Sequence, residues 1–574
     1  MSGKRESRSS APGSRGSTEI LPPLFVDGAE ALCWHKSCDV LVVGWGAAGA
    51  CAALEAKAQG AEVIIADRFT GGGASAKSGG VVYVGGGTRQ QKKAGFQDTP
   101  EAMFEYLRHE TQGVVSDETL KRFCDQSREN LRWLESKGAP YSHEVPPGGK
   151  ASYPPDGYYL YYSGNEQVPA YQSEHAHAPR GHRTVGKGHG GAVLYHHLQK
   201  SCLAEGIEAM TQSAARRLVI NQGDGRVIGV ELWCLPAGSK EALLHERWAK
   251  RAEKLQNLSP AYCDKLRRKL AQIEKQHARP VLVRARQGIV LSTGGFIFNR
   301  ELLQKYASNY RRNFKIGATG CDGSGLRLGM GAGADTDHLK RVSAWRFINP
   351  PGNWPKGVVV NPKGERFCNE EIYGATLGHE ICEKQRGKAW LILDKKLRWQ
   401  SIKQCLFGGY WWFQSVPALA LMLLGIRKGK CLDQLAKACV MDSASLNESV
   451  SRYNQAIHCG KPDPQGKSAD YCQTLEQGPY YAMNISVTSP VFPLGALTLG
   501  GLKVSEESGQ VLDTKGSPVP GLFAAGRTAV GIPSNLYVSG LSLAECVFSG
   551  RRAGRSVVQL KQGQASGQEQ NIAV

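Results

Sequence analysis

Tyr537 and Ser539 stand two residues apart in "SNLYVSGLSLAECVFSGRRAG" (534–554), ahead of an apolar run that ends in Gly-Arg-Arg-Ala-Gly. A phenol offers one neutral O–H donor, which suits a ketone oxygen; a carboxylate calls instead for a guanidinium fork. A serine hydroxyl is a poor base alone and needs a hydrogen-bonded partner to share the proton. Both residues also fit plain structural roles, because Tyr packs well in Gly-rich loops and Ser before Gly commonly forms a turn or an N-cap. The choice depends on what the rest of the chain binds.

The elements that would hold such a pair begin with "CDVLVVGWGAAGACAALEAKAQGAEVIIADR" (38–68). Asp39–Val43 reads as a short buried strand. Gly44, Gly46 and Gly49 follow as G-x-G-x-x-G, then an Ala-rich helix to Gln59 and a second strand ending at Asp67. The glycines let the turn tighten and bring backbone close to a pyrophosphate at the helix N-terminus, and Asp67 is placed for a ribose hydroxyl. This fingerprint alone does not separate NAD from FAD. Three later stretches bear on the choice, although each alone fits an ordinary strand-to-turn junction: the Gly/Ser loop "GGGASAKSGGVVYVGGG" (71–87), the strand "GIVLSTGGF" (288–296) running into Thr293-Gly294-Gly295, and "VPGLFAAGRTAVGI" (519–532) ending at Gly526.

A chain of 574 residues is long enough for two cores. Its 69 glycines, about 12% of the chain, cluster in short loops without a repeat, which suits backbone that approaches a large cofactor. Sixteen Cys without a C-x-x-C pair argue against zinc ribbons and disulfide frameworks and for reduced thiols in a cytoplasm. The first twenty residues are polar, lack a secretory apolar region and read as a disordered tail. The clustered His175, His177, His182, His189, His196 and His197 lack Cys or acidic partners at ligand spacing, so no metal is expected.

Much of the net charge of +20 sits in the helical-looking segment 246–280 between two strands. It reads as a solvated insertion, or as a contact with an anionic membrane or a partner. Nucleic acid is not expected, since no interleaved aromatics accompany the charge. "YWWFQSVPALALMLLGI" (410–426) is too short and interrupted to span a bilayer; it reads as a buried helix, or as an apolar lid resting on a membrane.

In this order the Gly-rich motifs resemble the FAD-dependent fumarate reductase/succinate dehydrogenase flavoprotein superfamily, over roughly residues 38–560. The resemblance implies an α/β architecture, a split Rossmann-like FAD-binding domain with an inserted α+β substrate-capping domain. The expected divisions are a tail and lead-in (1–37), a first FAD-domain segment (38–307, with a basic insertion at about 235–282), the cap (308–484), a second FAD-domain segment (485–560) and a tail (561–574). FAD contacts are implied for Gly44, Gly46, Ala47, Ala48, Gly49, Asp67, Arg68, Ser75, Ser78, Gly79, Gly80, Ala214, Thr293, Gly294, Gly295, Asp322, Gly526, Arg527, Ser542 and Leu543.

Fumarate reductases carry N-R-L-G-G-N before a helix ending in G-R-x-A-G, and Tyr537 falls at that arginine, which counts against a dicarboxylate substrate. The Y-x-S-G at 537–540, with the tyrosine after R-F-x-N-E in "GERFCNEEIYGATLGHE" (364–380), resembles the 3-ketosteroid Δ4-(5α)-dehydrogenases. So do "YLYYSGNE" (159–166), "APRGH" (178–182) and "FINPPGNWPKGVVVNPKGERF" (347–367). The resemblance implies that Tyr537 donates to the C3 ketone, Ser539 takes the C4 proton, Tyr373 relays it, and flavin N5 accepts the C5 hydrogen as hydride. A 3-ketosteroid and a separate electron acceptor would be the partners, with peripheral membrane contact a further expectation. The alternatives are a Δ1-dehydrogenase, an enoate reductase, or a non-catalytic flavin electron carrier.

Overall fold

The computed structural model describes residues 16–150, 152–172 and 177–572, of which 561–572 as backbone. The main sheet has nine strands: β1 (Leu24–Val26), β2 (Lys36–Val43), β3 (Val63–Ala66), β4 (Glu208–Met210), β5 (Ser213–Asn221), β6 (Val227–Cys234), β7 (Arg279–Leu291), β8 (Gln510–Leu512) and β9 (Pro518–Ala524). Their order is β1-β5-β6-β7-β2-β3-β4, with β9 also on β7 and β8 on β9. The 13-residue β7 does two jobs along one edge. Its first half pairs antiparallel with β6, its second half parallel with β9, while β2 runs parallel along the other edge.

Strand alternation sorts the apolar run of β2 into two cores. Val40 and Val42 pack with helix α1 (Ala47–Ala58) and the last helix, whereas Leu41 and Val43 face a core that continues through Phe296 and Ala344 to Ile392 and Leu435. That second core reaches a four-stranded antiparallel sheet of Val358–Val360, Trp390–Leu393, Tyr480–Asn484 and Ile426–Gly429. A small sheet pairs Val81–Tyr83, Gly181–Arg183 and Leu160–Tyr161.

The basic insertion leaves β6 at Cys234 and returns into β7 at Arg279, and those two residues pair. Between them, α2 (Lys240–Lys254) and α3 (Pro260–His277) form a hairpin. It is no free solvated excursion: His245, Arg267 and Glu274 are buried within it. Residues 16–20, read from sequence as the end of a disordered tail, are built into the protein as well. Thr18 is buried, Leu21 N–H donates to the Arg216 carbonyl, and β1 pairs with β5. Residues 1–15 lie outside the described residues.

In the cap region, α4 (Lys395–Phe407) packs on α5 (Trp412–Leu424). No helix among the described residues is long and apolar enough to cross a membrane. The final helix, α6 (Leu541–Ile572), crosses α1 at close range and runs on as backbone through most of the 561–574 segment read as a tail. The Gly-Arg-Arg-Ala-Gly stretch explains the crossing. A Cβ on Gly550 would lie 2.5 Å from the Ala48 carbonyl oxygen, and one on Gly554 2.2 Å from that of Ala52. Arg551 then clamps the pair, its Nε 2.9 Å from Glu55 Oε2.

This contact makes a measurable demand. Gly554→Ala should destabilise the protein by about 1–3 kcal/mol through overpacking. Gly223→Ala, where a Cβ meets nothing closer than 3.8 Å, should leave thermal unfolding unchanged.

Candidate active site

At the edge where β2, β3, β7 and β9 end lies a pocket lined by Gly44, Gly46, Ala47, Ala48, Asp67, Arg68, Ser75, Ala214, Thr293, Gly294 and Arg527 among others. Each is a residue marked from sequence. Gly44 adopts φ +105°, and a Cβ there would stand 2.6 Å from the Ser292 carbonyl oxygen, so the turn needs glycine for both reasons. Gly46, by contrast, meets nothing closer than Ser75 Oγ at 3.5 Å, leaving backbone open towards the pocket at the N-terminus of α1. Asp67 is held by N–H donors from Trp45 (2.8 Å) and Phe69 (2.7 Å).

The donor set fits FAD. The first turn of α1 and the open Gly46 backbone suit a pyrophosphate, and Asp67 suits a ribose. Arg68 Nη2 and Arg527 Nη1 are buried without a hydrogen-bond partner among the described residues, and both residues line the pocket. Buried guanidinium nitrogens left unpaired are costly, and an anionic or carbonyl-rich ligand would satisfy them.

The other marked residues do not line this pocket. Gly49 sits beneath the turn, where a Cβ would strike the Gly44 carbonyl. Ser78 Oγ donates to the Ser75 carbonyl and accepts from Gly80 N–H, closing the loop. Gly79 and Gly80 pack on Tyr153 and Gly190, Gly295 on Thr498, and Gly526 on Ala48. Ser542 and Leu543 lie in the first turn of α6, just after Ser539. Asp322 is spent elsewhere: it accepts from Thr18 N–H (2.6 Å), Thr18 Oγ1 (2.7 Å) and Arg68 Nη1 (2.8 Å).

Sequence reading missed what covers the pocket. His245, Glu246, Ala249, Lys250 and Glu253 of α2 line it, as does Thr18. The His245 ring stacks on Phe69 at 5.4 Å and 15°. Glu274 of α3 fastens this cover to the sheet, its oxygens 2.7 Å from Arg68 Nε, 2.9 Å from Arg216 Nη2 and 3.0 Å from His245 Nε2. Burial would raise the Glu274 carboxyl, but Arg68, His245 and Arg216 outweigh it and hold the group down to about 2. The charge run of the insertion signalled a solvated face; only the fold reveals that its buried acid meets Arg216 of β5 and Arg68 of the loop after β3.

The hydroxyl cluster lies on the other side of the Gly79-Gly80 bend. Tyr83 N–H donates to the Gly540 carbonyl, which joins the small sheet to the loop carrying Tyr537 and Ser539. Ser539 Oγ is 3.4 Å from the Tyr161 hydroxyl, and Ser163 Oγ donates to the Ser539 carbonyl. Tyr373 reaches the same place from the cap side, with its side chain hydrogen-bonded to Ser539 and close to those of Tyr537 and Tyr161. Trp345 and Phe347 form the wall, with ring centroids 5.4 Å from Tyr537 and 5.7 Å from Tyr373. Tyr161 comes from the Tyr-rich stretch 156–171, where several tyrosines stand in a row and sequence gives no means of choosing among them.

Burial sets the protonation of this cluster. It pushes the Tyr537 phenol up to about 12 against the opposing charge of Arg527, and it drives Tyr373 and Tyr161 higher still. All three are neutral donors at ordinary pH. Tyr373 is fixed through its backbone: its N–H donates to Asn165 Oδ1 (2.6 Å), and Asn165 Nδ2 donates to the buried Glu110 (2.7 Å). Beyond Tyr373 lies a smaller cavity lined by Lys150, Tyr162, Glu370 and Glu371.

A family model described as an FAD binding domain matches residues 39–540. The chain is 47% identical over 513 residues to the 3-oxo-5-alpha-steroid 4-dehydrogenase of Comamonas testosteroni, covering 88% of this chain and 95% of that protein. It is similar to the solved structure of 3-ketosteroid-delta4-(5alpha)-dehydrogenase from Rhodococcus jostii RHA1 in complex with 4-androstene-3,17-dione. There the TM-score is 0.77 at 27% identity, over 94% of this chain and 99% of that one. A 3-ketosteroid delta1-dehydrogenase from Sterolibacterium denitrificans shares the fold, with a TM-score of 0.61 at 19% identity over 91% of this chain and 99% of that one.

The Glu274 cluster yields a pH-dependent prediction. A carboxyl held at about 2 when folded, against 4.5 unfolded, contributes stability that is complete above the unfolded value and fades as pH falls towards the folded one. Thermal stability and flavin retention, followed by fluorescence, should therefore weaken between about pH 4.5 and pH 2. Glu274→Gln should release flavin faster at pH 7 and lack that acid-dependent increment, because it leaves two buried arginines short of charge.

Proposed function

The chain belongs to the FAD-binding-domain family, and on that footing we propose that it desaturates 3-keto-5α-steroids between C4 and C5. The observation that carries this reading is the meeting of Tyr537, Ser539, Tyr373 and Tyr161 against the Trp345–Phe347 wall. A neutral phenol beside flat aromatic surface suits a ketone on a fused-ring apolar substrate. The kinship with a 3-oxo-5-alpha-steroid 4-dehydrogenase at 47% identity supports the same choice.

Tyr537 donates its O–H to the C3 ketone oxygen. Because burial keeps the phenol protonated, that donor is in place as charge develops on the oxygen, and the enolate is stabilised where it forms. The same polarisation acidifies the hydrogens at C4. Ser539 Oγ receives the C4 proton while its own proton shifts towards a neighbouring phenol oxygen, so no free alkoxide is required. Two phenols, Tyr373 and Tyr161, stand ready for this hand-over. Tyr373 is the one that also borders the cavity of Lys150 and Glu371, which gives the proton a way out. Trp345 and Phe347 exclude water from the enolate. When bound in the adjoining pocket, FAD supplies the acceptor for the hydrogen and electron pair that leave C5. Gly44, Gly46, Asp67, Arg68, Thr293, Gly294 and Arg527 would hold it there. The electrons then pass to an external acceptor.

The test is anaerobic mixing of the flavin-loaded protein with 5α-androstane-3,17-dione, following the visible flavin band and identifying the product. Bleaching with formation of the 4-ene is expected. Tyr537→Phe should lower the bleaching rate by about 10²–10³, as loss of one oxyanion donor does, and Ser539→Ala should lower it at least as far. A 1-ene product would move the proton chemistry to another base, and absence of bleaching with any 3-ketosteroid would overturn the steroid assignment.

A further inference from the structure

The cap carries an apolar face that no element among the described residues covers. Of the thirteen large apolar side chains that stand exposed among the described residues, seven fall between 399 and 424. Trp399, Leu406 and Phe407 project from α4; Trp412, Val416, Leu423 and Leu424 from α5. Phe407, Leu424 and Trp412 are 84%, 78% and 74% exposed. The two helices pack on each other and turn Leu397, Ser401, Cys405, Ala418 and Leu421 inward, so the outward residues are surplus to the core. Large apolar patches of this kind on an otherwise soluble surface mark interaction sites.

Charge identifies the occupant. Residues 395–430 contain seven Lys or Arg and no Asp or Glu. Lys395, Lys396 and Lys403 are exposed on α4, and Arg427, Lys428 and Lys430 on the adjoining edge strand and turn. Lys403 Nζ lies 5.6 Å from the Trp399 ring, so its stem runs along the apolar side chain it borders. Exposed aromatic and aliphatic groups carried on a segment with seven cations and no acid match an anionic lipid surface, with apolar groups entering the acyl boundary and ammonium groups meeting phosphates. The other basic segment, α2–α3, has turned its buried face to the nucleotide pocket and exposes only Leu243 and Leu258 as large apolar groups.

We propose that the α4–α5 face of the cap is a docking surface for an anionic bilayer. The buried side of the same helices reaches towards the site: Trp411 Nε1 donates to the Pro154 carbonyl (3.0 Å) and Gln414 Nε2 to that of Tyr153 (3.1 Å). The Tyr153 hydroxyl in turn donates to the Gly79 carbonyl (2.9 Å). Docking therefore places the cap, and the loop it holds, next to the phase in which an apolar substrate is dissolved. The lipid contact itself does not depend on the steroid assignment.

The test is flotation of the flavin-loaded full chain with vesicles of phosphatidylcholine alone or mixed with phosphatidylglycerol. The protein should float with the anionic vesicles and much less with the neutral ones. Phe407→Glu with Trp412→Glu should cut the floating fraction at least tenfold, with circular dichroism and the flavin spectrum unchanged. Lys395→Gln, Lys396→Gln, Lys428→Gln and Lys430→Gln together should abolish the preference for phosphatidylglycerol, a second arm that leaves the apolar side chains intact. The proposal falls if the wild type stays at the bottom with both vesicles, or if the Glu variant floats as well as the wild type. It also falls if sedimentation shows a dimer that the Glu variant splits, which would give the face to a second copy of the chain.

Discussion

Strand β7 is hydrogen-bonded in parallel register to β2 on one side and β9 on the other, with Val290 opposite both Val42 and Phe523. Three segments separated by hundreds of residues thus reach one edge of the sheet in step. Gly44, Ser292–Gly294 and Ala525–Arg527 emerge there together, beside Asp67 from the end of β3. Parallel strands place their carboxyl ends on the same side, and a cofactor pocket forms where they stop. The burial of β2 on both faces makes a slip of that register prohibitive, since one residue would exchange the sets Val40/Val42 and Leu41/Val43 between cores.

From that edge outward, low dielectric does two different jobs. In the pocket's cover it is offset by pairing: Glu274 and Asp322 neutralise Arg68, Arg216 and the neighbouring donors, and so tie the N-terminal segment, the insertion and the sheet into one clasp. At the hydroxyl cluster the charge of Arg527 opposes burial without outweighing it, and the phenols stay protonated. A neutral donor held rigidly against an apolar wall needs little reorganisation as charge develops on a ketone oxygen.

The G-x-G-x-x-G turn with its flanking strands was legible because each residue type answers a local backbone demand: positive φ at Gly44, close approach at Gly49, a carboxylate at a strand end. The Tyr537–Ser539 spacing was legible through its resemblance to a family motif, and the structure brings both residues and Tyr373 to one place. The reach of Tyr161 and the wall of Trp345 and Phe347 were not, since they depend on how the small sheet and the cap approach each other. Asp322 was read as a cofactor ligand, but its Oδ2 accepts from Thr18 and Arg68 and its Oδ1 from Ser324 N–H; the contacts with Thr18 and Arg68 span 304 and 254 residues, which no local pattern encodes.

By itself the sequence determined the elements whose cause is local: the dinucleotide turn, the apolar strands, the Ala/Gly surface on which α1 and α6 cross, and a site whose polar groups are hydroxyls instead of an arginine clamp. Tertiary structure alone decided the rest. It turned a basic insertion into the cover of a pocket, because a buried carboxylate is stable only where distant arginines meet it. It also left the α4–α5 face uncovered by the described residues, because exposure depends on where the other elements pack.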